Sequence, residues 1–132
     1  RENMLPVSEA GRLKLVSEDM QLCEEVELRL YNGHTVGQIA PYVHVDNKTL
    51  VYTGDVIPFM AALPIAWVSA YDTYPITSME DKEKLLSEAA EKQQILFFEH
   101  DAYNECCTVK KVNGKYRVEK ILTLDEVVKE LK

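Results

Sequence analysis

Two short apolar runs, "TLVYT" at 49–53 and "ILFFE" at 95–99, bracket a segment with helical periodicity. Thr77 and Glu80 form the T-x-x-E pattern of a capping box. Leu85, Leu86, Ala89 and Ala90 then recur at helical spacing, which predicts a helix over about 79–93. Strand, helix, strand is the order of a right-handed parallel crossover. The strands ending at Thr53 and Glu99 are therefore expected to be neighbours in one sheet, flanked by that helix. This makes the chain an α/β protein.

The other elements are local. "EVELRL" at 25–30 places Val26, Leu28 and Leu30 on one face and Glu25, Glu27 and Arg29 on the other, the mark of a half-buried strand. "RLKLV" at 12–16 alternates more briefly and predicts another. Residues 39–45 read as a strand that turns through Asp46-Asn47-Lys48 into 49–53. "ECCTVKKV" and "YRVEKI" flank Asn113-Gly114, a strong hairpin signal. Residues 56–76 hold three prolines and four aromatics and read as an irregular loop with one short helix. Thr123 and Glu126 repeat the capping pattern before a final helix, with Leu124, Val127, Val128 and Leu131 facing inward.

With 132 residues the chain is expected to form a single domain, 1–132. Its net charge of −7 disfavours nucleic acid and anionic lipid, which carry the same sign. No apolar run approaches the roughly 20 residues of a membrane span. Cys106 and Cys107 are adjacent, so on a strand they point to opposite faces. Three reduced cysteines and a cytoplasmic setting are expected. The chain opens with Arg1-Glu2-Asn3 and no signal peptide, which reads as a fragment, an expression product or a processed chain.

Three groups able to bind a metal stand just past predicted strand ends. His34 follows "VELRLYNG", Asp55 follows "TLVYTG" and His100 follows "ILFFE". Strand ends that converge on one edge of a sheet are where α/β proteins gather ligands. Two imidazoles and a carboxylate suit Zn²⁺, Mn²⁺ or Fe²⁺. Gly33 and Gly54 allow sharp turns there. Each residue also has an ordinary reading: a surface histidine, or a turn aspartate. His44, inside a strand, reads as structural. Glu99 and Asp101 flank His100 and either orient its ring or stand solvated.

At these residues the sequence resembles the second half of a metallo-β-lactamase-fold hydrolase. "GHTVGQ", "LVYTGD" and "FFEHD" stand in that family's order, and the likeness runs through "GDVIP" and "WVSAYD" over most of residues 3–110. The resemblance implies an αβ/βα sandwich, of which this chain is the C-terminal half: a mixed sheet with flanking helices. It implies two divalent metal ions, with zinc the leading choice. His34 would bind one, His100 the other, and Asp55 would bridge them. Metal ions so placed lower the pKa of bound water and polarise an ester, amide, lactone or related bond of a small-molecule substrate. Trp67, Tyr71 and Asp72 fall in the loop where such folds line their pocket. The two aromatics either wall that pocket or anchor the loop to the core.

The family's H-x-H-x-D-H motif is missing, and the chain has three histidines in all. Gln38 stands where family members often carry a further histidine. Two expectations follow. In the first, the chain is part of a binuclear hydrolase, inactive and poor in metal without an N-terminal half that carries the motif. In the second, it is a non-catalytic binding or oligomerisation module. The sheet face that would meet the other half is open to that half, to a second copy, or to the chain's own rearrangement.

Overall fold

The computed structural model describes residues 2–130. Seven strands form one sheet in chain order: β1 (Met20–Cys23), β2 (Val26–Tyr31), β3 (Gln38–Val45), β4 (Lys48–Tyr52), β5 (Ile95–Phe97), β6 (Cys106–Val112) and β7 (Lys115–Leu122). Helix α1 (Leu5–Glu9) precedes them, α2 (Pro75–Lys92) joins β4 to β5, and α3 (Leu124–Glu130) ends the described chain. The β4–β5 pair is parallel, with Tyr52 opposite Phe97, and every other pair is antiparallel. The crossover thus places the two apolar runs side by side, as their order predicts.

Alternation along the strands divides the core in two. On one face, Tyr31, Tyr42, Val51, Leu96, Cys107 and Val109 meet Leu85, Leu86 and Ala89 of α2. On the other, Ile95 and Cys106 meet Val127 of α3, with Leu50, Phe97 and Leu122 around them. The adjacent cysteines do face opposite ways, and both are free and buried. The face away from α2 is therefore not wholly bare, because α3 covers its β4–β6 part. Over β2 and β3 it is more open: Leu28 is buried, but Ile39 is exposed, and Val26, Leu30, Pro41 and Val43 are half-buried.

Local chemistry sets the turns. Asn113 and Gly114 both have positive φ, 50° and 74°, as a tight hairpin requires. The Thr123–Glu126 box forms: Glu126 accepts from the Thr123 N–H at 2.8 Å, and Thr123 Oγ1 accepts from the Glu126 N–H at 3.2 Å. The Thr77–Glu80 box does not form. Helix α2 starts earlier, at Pro75, whose fixed φ suits a first helical position, so Thr77 lies inside the helix. "RLKLV" is not a strand. Residues 12–16 are coil, exposed except for the half-buried Val16, because the edge beside β2 is taken by β1. Val128 is exposed rather than inward, and Leu131 lies outside the described residues.

Between sheet and α2, Arg29 donates to Glu27 at 2.9 Å and to Glu88 at 2.5 Å, with its guanidinium 3.9 Å from the Tyr42 ring centre. The Arg29 hydrogen bonds hold Glu27 below the usual carboxylate range, burial opposing. Burial pushes Glu88 up, but hydrogen bonds from Arg29 and Lys92 outweigh it and the net shift is downward. Carboxylates with lowered folded pKa values contribute stability above the unfolded value and lose it as pH falls through the folded one. Arg29→Met should therefore lower the denaturation midpoint at pH 7 and narrow the gap to wild type as pH falls below about 4. Urea titrations at several pH values test this. An unchanged gap would remove the network from the acid response.

Candidate metal centre

The site lies beyond the ends of β2, β4 and β5. Its central group is Asp55, in a 3₁₀ turn over Gly54–Val56. Gly54 has φ +50°, so this glycine does serve a turn. Thr53 locks the turn to β5: its N–H reaches Phe97 O at 3.0 Å, and its buried hydroxyl donates to Ile57 O at 2.7 Å. From the other side Gln38 supports the same backbone. With its amide oxygen turned to the 3₁₀ turn, it accepts from the N–H of Asp55 at 2.6 Å and of Val56 at 3.2 Å.

Asp55 faces two histidines at once. Oδ2 lies 3.4 Å from His34 Nε2, and Oδ1 lies 3.2 Å from His100 Nε2. The first distance is long for a hydrogen bond and the second sits at the limit. Two donors on one tetrahedral ion, with bonds of about 2.0–2.2 Å, lie roughly 3.4 Å apart. Both spacings match that edge. Each carboxylate oxygen is paired with a different imidazole, so the group can serve two ions rather than one.

His34 is held from behind. Asp72, its side chain 6% exposed, accepts from His34 Nδ1 at 2.8 Å. Asp72 takes the Nδ1 side of the ring, which leaves Nε2 as the nitrogen that faces Asp55. Asp72 is itself fixed by the Ser69 N–H at 3.2 Å, and the His34 carbonyl accepts from the Thr73 N–H at 2.9 Å. His100 is anchored by its backbone N–H to Pro58 O at 2.9 Å, and its side chain is half exposed.

The remaining predicted residues divide. Asp101 does not contact the His100 ring. Its oxygens accept from the N–H groups of Met60 at 3.0 Å, Tyr103 at 3.0 Å and Asn104 at 2.9 Å. Burial would raise this carboxyl, but those bonds hold it below the usual range. Trp67 and Tyr71 are 63% and 86% exposed, so neither anchors the loop. Trp67 lines a groove together with Asp55, Phe59, Val68 and Asp72. Tyr71 is not among the groove's lining residues. His44 contacts Thr49 at 3.1 Å and stands 3.6 Å from Glu27, away from the site.

Sequence reasoning missed two supports, Gln38 and Lys82, and gave Gly33 the wrong role. Gly33 does not take a positive φ; it admits a close approach, since a side chain there would overlap the backbone of Ser78. Lys82, 2% exposed, donates to the carbonyls of Ala62, Pro64 and Trp67 at 2.5, 2.7 and 2.8 Å. A lone lysine on a helix gives no sequence signal for this.

No protein-family model matches the sequence, and neither does any curated protein. Solved structures do. A probable metal-dependent hydrolase from Staphylococcus aureus aligns at TM-score 0.73 and 23% identity over 86% of this chain. The dizinc quorum-quenching lactonase AidC, in complex with a product, aligns at 0.73 and 20% over 92%. The hydrolase AbOPH, of the β-lactamase superfamily, aligns at 0.71 and 18% over 91%. In all three the match spans 42% of the relative's length. The fold is that of about half of a metallo-β-lactamase-like sandwich. Identities this low carry the fold and not the activity. No described helix is long and apolar enough to cross a membrane.

Proposed function

We propose that this chain is the C-terminal part of a binuclear metal-dependent hydrolase acting on an ester, amide, lactone or related bond of a small molecule. One observation carries the reading: both oxygens of Asp55 face different histidines at the spacing of shared metal ligands. The similarity to a dizinc lactonase and a probable metal-dependent hydrolase supports it. His34 and Asp55 would hold one ion, and Asp55 and His100 the other. Ions bound there supply an activated water and an electrophile for the scissile bond. The chain's own part is positional. Asp72 fixes the His34 ring, Thr53 and Gln38 fix the Asp55 turn, and Phe59, Trp67 and Val68 offer an apolar wall that excludes water from one side of the groove.

Two ligands per ion are too few for a catalytic zinc site, which takes about three protein groups. The rest belongs to a segment with H-x-H-x-D-H, seated on the open β2–β3 face. The chain alone should hold metal weakly and show no turnover. The test compares it with a chain extended upstream to include that motif. The longer protein should hold two equivalents of zinc and hydrolyse an acyl lactone or chromogenic ester, and Asp55→Asn should abolish turnover. Turnover by residues 1–132 alone would overturn the proposal. An upstream sequence without the motif would favour the non-catalytic module instead.

A further inference from the structure

Glu99 lies outside the ligand set that the family resemblance implies, yet the fold brings it to the centre. Asp55, Glu99 and His100 each offer one donor atom, and the three atoms lie within 4.8 Å of one another. The elements that carry them are fixed independently. The Asp55 turn is tied to the end of β5 through the Thr53 N–H to Phe97 O, 3.0 Å, and His100 is tied to the loop through Pro58 O, 2.9 Å. Side-chain torsions are left to adjust, and Glu99 and His100 are both exposed.

The charge balance points the same way. Among the described residues, Asp55 pairs only with the two histidines, and no lysine or arginine pairs with Asp55 or Glu99. Two carboxylates are thus gathered beside an imidazole with no side-chain ammonium or guanidinium to offset them. Like charges so placed are unfavourable unless a cation comes between them. The His34 side differs. It has one imidazole and one oxygen of Asp55, and the carboxylate behind it is already engaged with Nδ1.

We propose that Glu99 is a metal ligand, and that Asp55, Glu99 and His100 form a three-donor site through which this chain alone takes up one divalent cation on the His100 side. The two metal positions are therefore unequal: one is nearly complete within residues 54–100, and the other waits for the rest of the protein. Two carboxylate oxygens and one imidazole suit Zn²⁺ or Mn²⁺. This rests on the reading of Asp55 and His100 as ligands.

Calorimetric titration of the purified chain with Zn²⁺ separates the two claims, with circular dichroism to show that each variant is folded. The wild type should bind one equivalent. Glu99→Gln, which keeps the shape and removes the charge, should weaken binding about tenfold or more. Asp55→Asn and His100→Ala should abolish it. His34→Ala should leave stoichiometry at one and affinity within about threefold. If Glu99→Gln binds like wild type while Asp55→Asn and His100→Ala do not bind, Glu99 is not a ligand and the reading of the other two survives. If all variants bind alike, both fail. Loss of binding in His34→Ala, or two equivalents in the wild type, would overturn the unequal-site claim.

Discussion

Gly33→Ala is expected to destabilise the protein far more than Gly37→Ala, four residues further along the same loop. A Cβ at Gly33 would overlap the backbone N and Cα of Ser78 and lie 2.6 Å from its hydroxyl. No rotamer relieves a clash with backbone. The β2–β3 loop or the first turn of α2 has to move, and the two are bound together. Asp81 accepts from the N–H of Asn32 at 2.9 Å and of Gly33 at 2.8 Å, and the Gly33 carbonyl accepts from the Tyr74 N–H at 2.9 Å. The cost belongs at the upper end of overpacking, about 3 kcal/mol, or a fall in Tm of about 10 °C. His34 is the next residue, so the ring held by Asp72 should be displaced as well. Gly37→Ala serves as the control. Gly37 has φ +79° with nothing within 4 Å of an added Cβ, so only backbone strain of about 1 kcal/mol is expected. Melting curves for both variants decide the matter. A Gly33→Ala as mild as Gly37→Ala would show that α2 yields at this point.

What the sequence could and could not show follows the range of the interactions. The β3–β4 and β6–β7 hairpins were legible because their turn residues, Asp46-Asn47 and Asn113-Gly114, act on their own backbone. The parallel β4–β5 pairing was legible because a helix between two apolar strands leaves one favourable crossover. The gathering of His34, Asp55 and His100 at one edge followed from the same topology. β1 was missed because four residues, three of them exposed, carry little pattern. "RLKLV" misled for the opposite reason, since alternation without a free partner edge does not make a strand. Gln38 and Lys82 were invisible because their partners sit 15 or more residues away on irregular backbone. A polar side chain aimed at a loop carbonyl has no period.

Lys82→Met should loosen the loop that walls the groove while leaving the sheet intact. Lys82 projects from α2 into the bend formed by residues 62–67. Its three ammonium hydrogens meet three carbonyls, those of Ala62, Pro64 and Trp67. The Ala62 bond is buried and the other two are part-buried. Methionine keeps the length and apolar stem but supplies no donor. Relief of the buried charge offsets part of the loss, so the net cost is about 2 kcal/mol. Local mobility should change more than global stability. Trp67, the single tryptophan, sits on this loop and reports it: its fluorescence anisotropy should fall, and amide exchange across 62–72 should accelerate. The pH dependence has a definite sign. Burial pulls the Lys82 pKa down to about 8, and the charge of Asp72 opposes the shift. Between pH 8 and the unfolded value near 10.5, the unfolded chain holds a proton that the folded chain has released, so this group adds stability as pH rises. The gap between wild type and Lys82→Met should therefore be smallest below pH 8 and widen toward pH 10.5. Denaturant titrations across that range would measure it. A gap that narrows instead would mean that the three carbonyls hold the ammonium more tightly than burial penalises it.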